Sequence, residues 1–234
     1  MRTSYLDIVY FDRAIAKLEQ AYTDEKTACE TLVAGRDLVV PIGEFALCNN
    51  LIQQLTIRYS RGDEMAAIAG LYPEIADHFT KSWNPVNVVY TQLFNVLALG
   101  VLLEAPAETF AHIGQLVDQA RLRDYLVDYF LNWLQPRPIH PKLRWQAHRP
   151  YNGLRQLTEL PPEAAQAQMA TYFAKDWYTK SNTDIIYNSH LAADDAFAGY
   201  WSFGAGAVSK ILKLDDATWA ASEYYPYDMV HWQA

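Results

Sequence analysis

Apolar residues recur at alternating steps of three and four along the first third of the chain. Ile8, Phe11, Ile15, Leu18 and Tyr22 form one stripe, and Phe45, Cys48, Ile52, Leu55 and Tyr59 form a second. That spacing puts each set on one face of an α-helix. The first predicted helix stops near Gly35, and the second follows Pro41 and ends at Gly62, since proline suits a first turn and glycine a terminus. Ile68, Tyr72, Ile75 and Phe79 keep the period after Asp63, an expected N-cap, and Pro73 is expected to divide that segment in two. Further helices are expected after Pro85, Pro106, Arg121 and Pro161. Sustained alternation of period two is absent, so the expected fold class is all-α.

Three stretches depart from simple amphipathic patterning. Residues 86–103 approach the length of a membrane span, but Asn87, Gln92 and Asn95 interrupt them and no aromatic or basic anchors flank them. They read as a helix buried on most sides of a soluble fold. Residues 135–150 hold four prolines and are expected to form an ordered loop or domain junction. Residues 194–214 are expected to form a helix with two adjoining stripes, Tyr200, Phe203, Ala207, Ile211, Leu214 and Trp201, Ala205, Val208, Leu212. Gly204 and Gly206 each cost about 1 kcal/mol against alanine inside such a helix. Close approach of another backbone should compensate, and the tail bearing Tyr224, Tyr225, Pro226, Tyr227 and Trp232 is the expected neighbour. Rings of that size bury enough area to order a terminus that would otherwise fray.

Composition narrows the class. The chain has 234 residues, 51% hydrophobic, 14% aromatic and 20% charged, which suits a folded globular protein and excludes a disordered one. Two cysteines, Cys29 and Cys48, make no disulfide framework, and both fall on helical stripes as expected buried thiols. Asp7 and Asp12 break the apolar stretch that a signal peptide needs, which places the mature protein in the cytoplasm. The net charge of −8 is uneven: residues 121–155 carry a local +5 and residues 182–234 a local −5. An acidic surface repels nucleic acid and membrane and attracts basic proteins.

The C-terminal stretches AGYWSFGAGAVSKILKLDD (198–216) and YYPYDMVHW (224–232) resemble the signature of the PoNi-type immunity proteins, and KDWYTKSNTDIIYNSH (175–190) resembles the part that precedes it. YFDRAIAKLEQ (10–20) and IRYSRGDEMAAIAGLYPEIADHF (57–79) are similar to the companion N-terminal domain. One departure stands at Gly204, where the family pattern has an acidic residue. The resemblance implies two adjoining helical domains packed as one compact unit, placed at residues 1–119 and 120–234. It also implies a non-enzymatic immunity protein that neutralises a PoNe-type DNase exchanged through type VI secretion, without a cofactor.

A nuclease presents basic groups to phosphate, so carboxylates on its inhibitor would steer encounter and stand in for part of the substrate's charge. Asp184, Asp194, Asp195, Asp215, Asp216 and Glu223 are the expected toxin-binding carboxylates, with Tyr187 and His190 as less charged contacts. Asp194 or Asp195 could instead cap the signature helix, and Asp215 or Asp216 the turn after Leu214. The other class is an all-α enzyme or small-ligand binder with a pocket near residues 184–195. No catalytic or metal-ligating set is assigned, because the six histidines are scattered and the His and carboxylate spacing matches no ligand motif. GAG at 204–206 follows no strand and lacks the third glycine of a dinucleotide loop. The expected partner is a cognate DNase toxin rather than nucleic acid or membrane, bound by a chain that is a monomer or weak homodimer when free.

Overall fold

A computed structural model describes residues 1–32, 39–144, 148–192 and 197–234. Among the described residues the regular structure is helical and no strand occurs. Two compact units emerge: Met1–Gln92 with Asn188–Gly199, and Leu93–Tyr187 with Tyr200–Ala234.

The first unit is built on α1 (Ile8–Leu32), α2 (Val39–Arg61), α3 (Met65–Ala69) and α4 (Tyr72–Ser82), with α1 and α4 both packed against α2. The expected stripes supply its core: Phe11, Ile15, Cys48, Leu55, Tyr59, Ile68, Tyr72, Ile75 and Phe79 are buried. Pro73 does divide the third segment, sitting in the first turn of α4. Three details differ from the expectation. Ile8 is exposed at the start of α1, and Cys29 is only half-buried against Gly43 of α2. Asp63 caps nothing in α3; its carboxylate instead pairs with Arg61 Nε at 2.7 Å, a charge-assisted bond that outcompetes a backbone N–H. Residues 188–199 add to this unit through Phe197, whose ring lies against Phe11 and whose backbone exchanges two 2.9 Å hydrogen bonds with the Tyr10 hydroxyl.

The second unit contains α6 (Ala107–Gln119), α7 (Tyr125–Leu131), α8 (Arg149–Thr158), α9 (Pro162–Tyr172), α10 (Phe203–Leu212) and α11 (Tyr227–Val230), with most of α5 (Tyr90–Leu102). The apolar run of α5 is buried as expected, with Leu93, Val96, Leu97, Leu99 and Val101 fully enclosed, and no described helix is long and apolar enough to cross a membrane. Pro106 and Pro161 flank the starts of α6 and α9 as expected, and α7, which follows Arg121, is capped by Asp124, whose carboxylate accepts the Val127 N–H at 3.1 Å. Helix α8 was not expected: its pattern begins inside the proline-rich stretch, where Pro150 occupies the first turn.

The signature helix also starts later than residue 194. Gly199 takes φ 127°, open to glycine and strained for other residues, and Ser202 then caps α10 through its hydroxyl and the Ala205 N–H. Tyr200 and Trp201 therefore precede the helix, whose cap is Ser202; the expected roles of Asp194 and Asp195 lie outside the described residues.

Candidate functional site

The −5 segment is organised by the tail. Gly206 of α10 lets Pro226 and Val230 approach so closely that an added Cβ would stand 2.6 Å from Pro226 Cγ. Tyr225 and Met229 are buried beside it, so these side chains anchor the terminus in the core as expected, while Tyr227 is exposed and Tyr224 and Trp232 are half-buried. Gly204 serves another neighbour: a Cβ there would lie 2.6 Å from Phe94 Cζ and 2.8 Å from Leu154 Cδ1. The acidic side chain expected here from the resemblance would have no room at this position. Lys210 completes the lock, with Nζ donating to the Trp232 carbonyl at 2.7 Å and the Leu102 carbonyl at 2.9 Å.

Asp216 is the polar centre of this arrangement. It is buried, and its Oδ2 accepts from the Tyr225 hydroxyl at 2.7 Å and faces His231 Nε2 at 2.9 Å. Burial and that bond to the carboxylate push the Tyr225 hydroxyl well above the usual phenol range. Asp216 thus ties the tail to the turn after α10, while its neighbour Asp215 is exposed and accepts only the Ala217 N–H, at 3.2 Å. Asp215 therefore takes the capping role open to either residue, and Asp216, expected at the toxin-binding surface, is turned inward.

Asp184 also faces inward. Its carboxylate is enclosed, 3.9 Å from His148 Nε2. Burial pushes its carboxyl up, against the opposing effects of the Tyr151 hydroxyl and of His148. Asn182 sets the local path, accepting the Asp184 N–H while its amide donates to the Trp177 carbonyl. Trp177 ends a π-turn, Phe173–Trp177, and donates its indole N–H to the Tyr200 carbonyl at 2.7 Å. His190 belongs to the first unit, in a short 3₁₀ turn, with its ring 4.4 Å from that of Tyr5.

What the fold gathers around the remaining members is aromatic. Tyr178 stacks on Tyr224 with centroids 4.8 Å apart and contacts Tyr187 at 4.7 Å and Tyr200 at 4.9 Å. Tyr178, Tyr187 and Tyr224 are half-exposed, and exposed Glu223 directly precedes Tyr224. The Ser202 N–H holds this strand of tail in place by donating to the Tyr224 carbonyl at 2.7 Å. Of the expected site residues, the structure therefore brings Tyr187 to a tyrosine cluster of the second unit, and leaves Glu223, next to Tyr224 in the chain, and Asp215 exposed on the same unit. Tyr178 and Tyr224 were missed as site residues, since their separation in sequence follows no helical register. Among the described residues no group of His, Cys, Asp and Glu could hold a metal ion.

Comparison with known proteins gives a consistent picture. A search of solved structures finds the crystal structure of protein PA2201 from Pseudomonas aeruginosa, with a TM-score of 0.74 and 19% identity, covering 98% of this chain and 89% of that one. At that identity the likeness is one of fold. No curated protein matches. Residues 2–115 match the model described as PoNe immunity protein (PoNi), N-terminal, and residues 122–229 match PoNe immunity proteins (PoNi), C-terminal. With nearly its whole length accounted for by these two consecutive matches, the chain belongs to the PoNe immunity protein family.

Proposed function

We propose that this protein binds a PoNe-type nuclease as a one-to-one inhibitor in the cytoplasm of the producing cell and keeps DNA from the toxin's active-site region. The match of both family domains in order along the chain carries this reading. The contact surface we assign lies on the second unit: the half-exposed rings of Tyr178, Tyr187 and Tyr224, with the carboxylates of Glu223 and Asp215 beside them in sequence or on the same unit. Tyrosine supplies rigid, amphipathic contact area at low entropic cost, and exposed carboxylates steer a basic partner toward it. Asp184 and Asp216 support that surface from within rather than meeting the toxin.

The test is coexpression with the nuclease encoded beside it, followed by affinity capture and a DNA-cleavage assay. A stoichiometric complex in which cleavage is suppressed is the expected result. A nuclease that still cuts in the presence of excess purified protein sinks the reading.

A further inference from the structure

On the described residues, arginines outside one region are engaged. Arg2 donates to the Tyr59 carbonyl and Arg13 lies over the Tyr10 ring, while Arg58, Arg61, Arg137, Arg149 and Arg155 meet carboxylates. Arg121, Arg123 and Arg144 are exposed, and their side chains meet no carboxylate, carbonyl or ring. Lys142, also exposed, is in the same condition. The fold sets these cations side by side. The Tyr125 N–H donates to the Lys142 carbonyl at 2.8 Å, and the Arg144 N–H donates to Asp124 Oδ2 at 2.6 Å. Residues 121–125 and 142–144 therefore run next to each other.

The two acidic residues within this stretch are engaged. Asp124 and Asp128 are both buried. Asp124 accepts backbone N–H groups, and Asp128 accepts the His140 N–H at 3.1 Å and pairs with Arg137 Nε at 3.0 Å. Arg137, Arg149 and Arg155 are paired with carboxylates, so the positive charge left outward in this region is that of Arg121, Arg123, Lys142 and Arg144, on a chain whose net charge is −8. Beside it lies a groove of about 590 Å³ lined by Arg121, Arg123 and His140, with walls from Pro138 and Ile139; Asp118 and Asp128 line it too, both paired with Arg137. Its volume is that of a ligand site, and its mixed lining suits side chains of both kinds.

We propose that this face of the second unit binds a carboxylate-rich segment of a protein partner. An arginine fork matches a carboxylate with two parallel N–H···O bonds, and three free forks with a lysine set beside an apolar-walled groove suit an acidic peptide carrying occasional apolar residues. A nucleic-acid backbone offers the same fork chemistry, but its dense negative charge is repelled by the acidic remainder of the chain. The surface uses none of the residues assigned to the nuclease, so it stands or falls separately from that assignment.

Fluorescence anisotropy tests it with the full chain. The probes are a short labelled peptide of glutamates interspersed with leucine, its lysine counterpart, and single- and double-stranded DNA oligonucleotides. The glutamate peptide should bind, more weakly as salt rises, and R121E/R123E and R144E should each weaken it by about tenfold. Because these side chains hold nothing in the free protein, the thermal midpoints of the variants should equal that of the parent. Failure of the glutamate peptide to bind, equal binding by the reversed variants, equal or tighter binding of DNA, or a lowered midpoint would each overturn the proposal.

Discussion

Gly204 shows how a single residue reports its surroundings. The sequence marks it twice, as a glycine inside a helix and as a departure from the family pattern. The reason is steric, since Phe94 and Leu154 occupy the space a side chain would take. G204D should destabilise the protein by about 3 kcal/mol, combining overpacking with an unpaired charge in a buried place. Urea denaturation checks it, and an unchanged midpoint would show that the neighbours yield freely. Asp63 gives a residue-level pH effect. Its hydrogen bond from Arg61 holds the carboxyl below the usual range, against the opposing effect of burial. A depressed folded pKa stabilises above the ordinary carboxylate value of about 4 and ceases to do so as pH falls through the folded value. D63N should therefore lower the urea midpoint near neutral pH, and the gap should close in strong acid. Asp128 runs in the opposite sense: burial pushes it up, so its native form takes up a proton first and gains stability as pH falls.

At the scale of elements, period and proline placement predicted α1, α2 and α4 well because α1 and α4 each pack against α2 over several turns, and the unbroken apolar run predicted α5 because it is buried on most sides. The start of α10 was misread because the apolar spacing continues through Tyr200 and Trp201 without a helical backbone. Both side chains are buried there outside any helix, so burial alone does not reveal conformation. The cap at Ser202 is what sets the boundary, and S202A should cost about 1 kcal/mol. The tail is a second case. Tyr225 and Met229 are enclosed, and losing a core side chain of that size costs about 2–5 kcal/mol. Removing residues 224–234 should abolish cooperative unfolding of the second unit, as read by circular dichroism against urea. A truncated chain with an unchanged midpoint would refute the anchoring role of Asp216 and Lys210.

For the whole molecule, charge is what the sequence makes most visible and what folding most reshapes. The local −5 read along residues 182–234 is not a uniform surface: Asp184 and Asp216 are drawn inside, while Asp215 and Glu223 stay exposed. The local +5 of residues 121–155 is instead redistributed: Asp124 and Asp128 are buried and Arg137, Arg149 and Arg155 are paired, which leaves Arg121, Arg123, Lys142 and Arg144 exposed. If exposed carboxylates steer the nuclease, D215K/E223K should slow association by about tenfold at low salt, and the difference should fade as salt rises. Stopped-flow mixing with the nuclease measures this, and equal rates would remove those carboxylates from the encounter surface.

Composition and periodicity by themselves determined that the chain is folded and all-helical, that its long apolar run is interior, and that its aromatic terminus is anchored in the core. Those properties follow from local spacing and total burial, which sequence records directly. The motifs carried the family. Only the tertiary structure decided which carboxylates face solvent, that Tyr178, Tyr187 and Tyr224 share one cluster, and that Arg121, Arg123 and Arg144 stand together without partners. The reason is physical: exposure and adjacency depend on contacts between residues far apart in the chain, and no local pattern encodes which distant group will reach a carboxylate first.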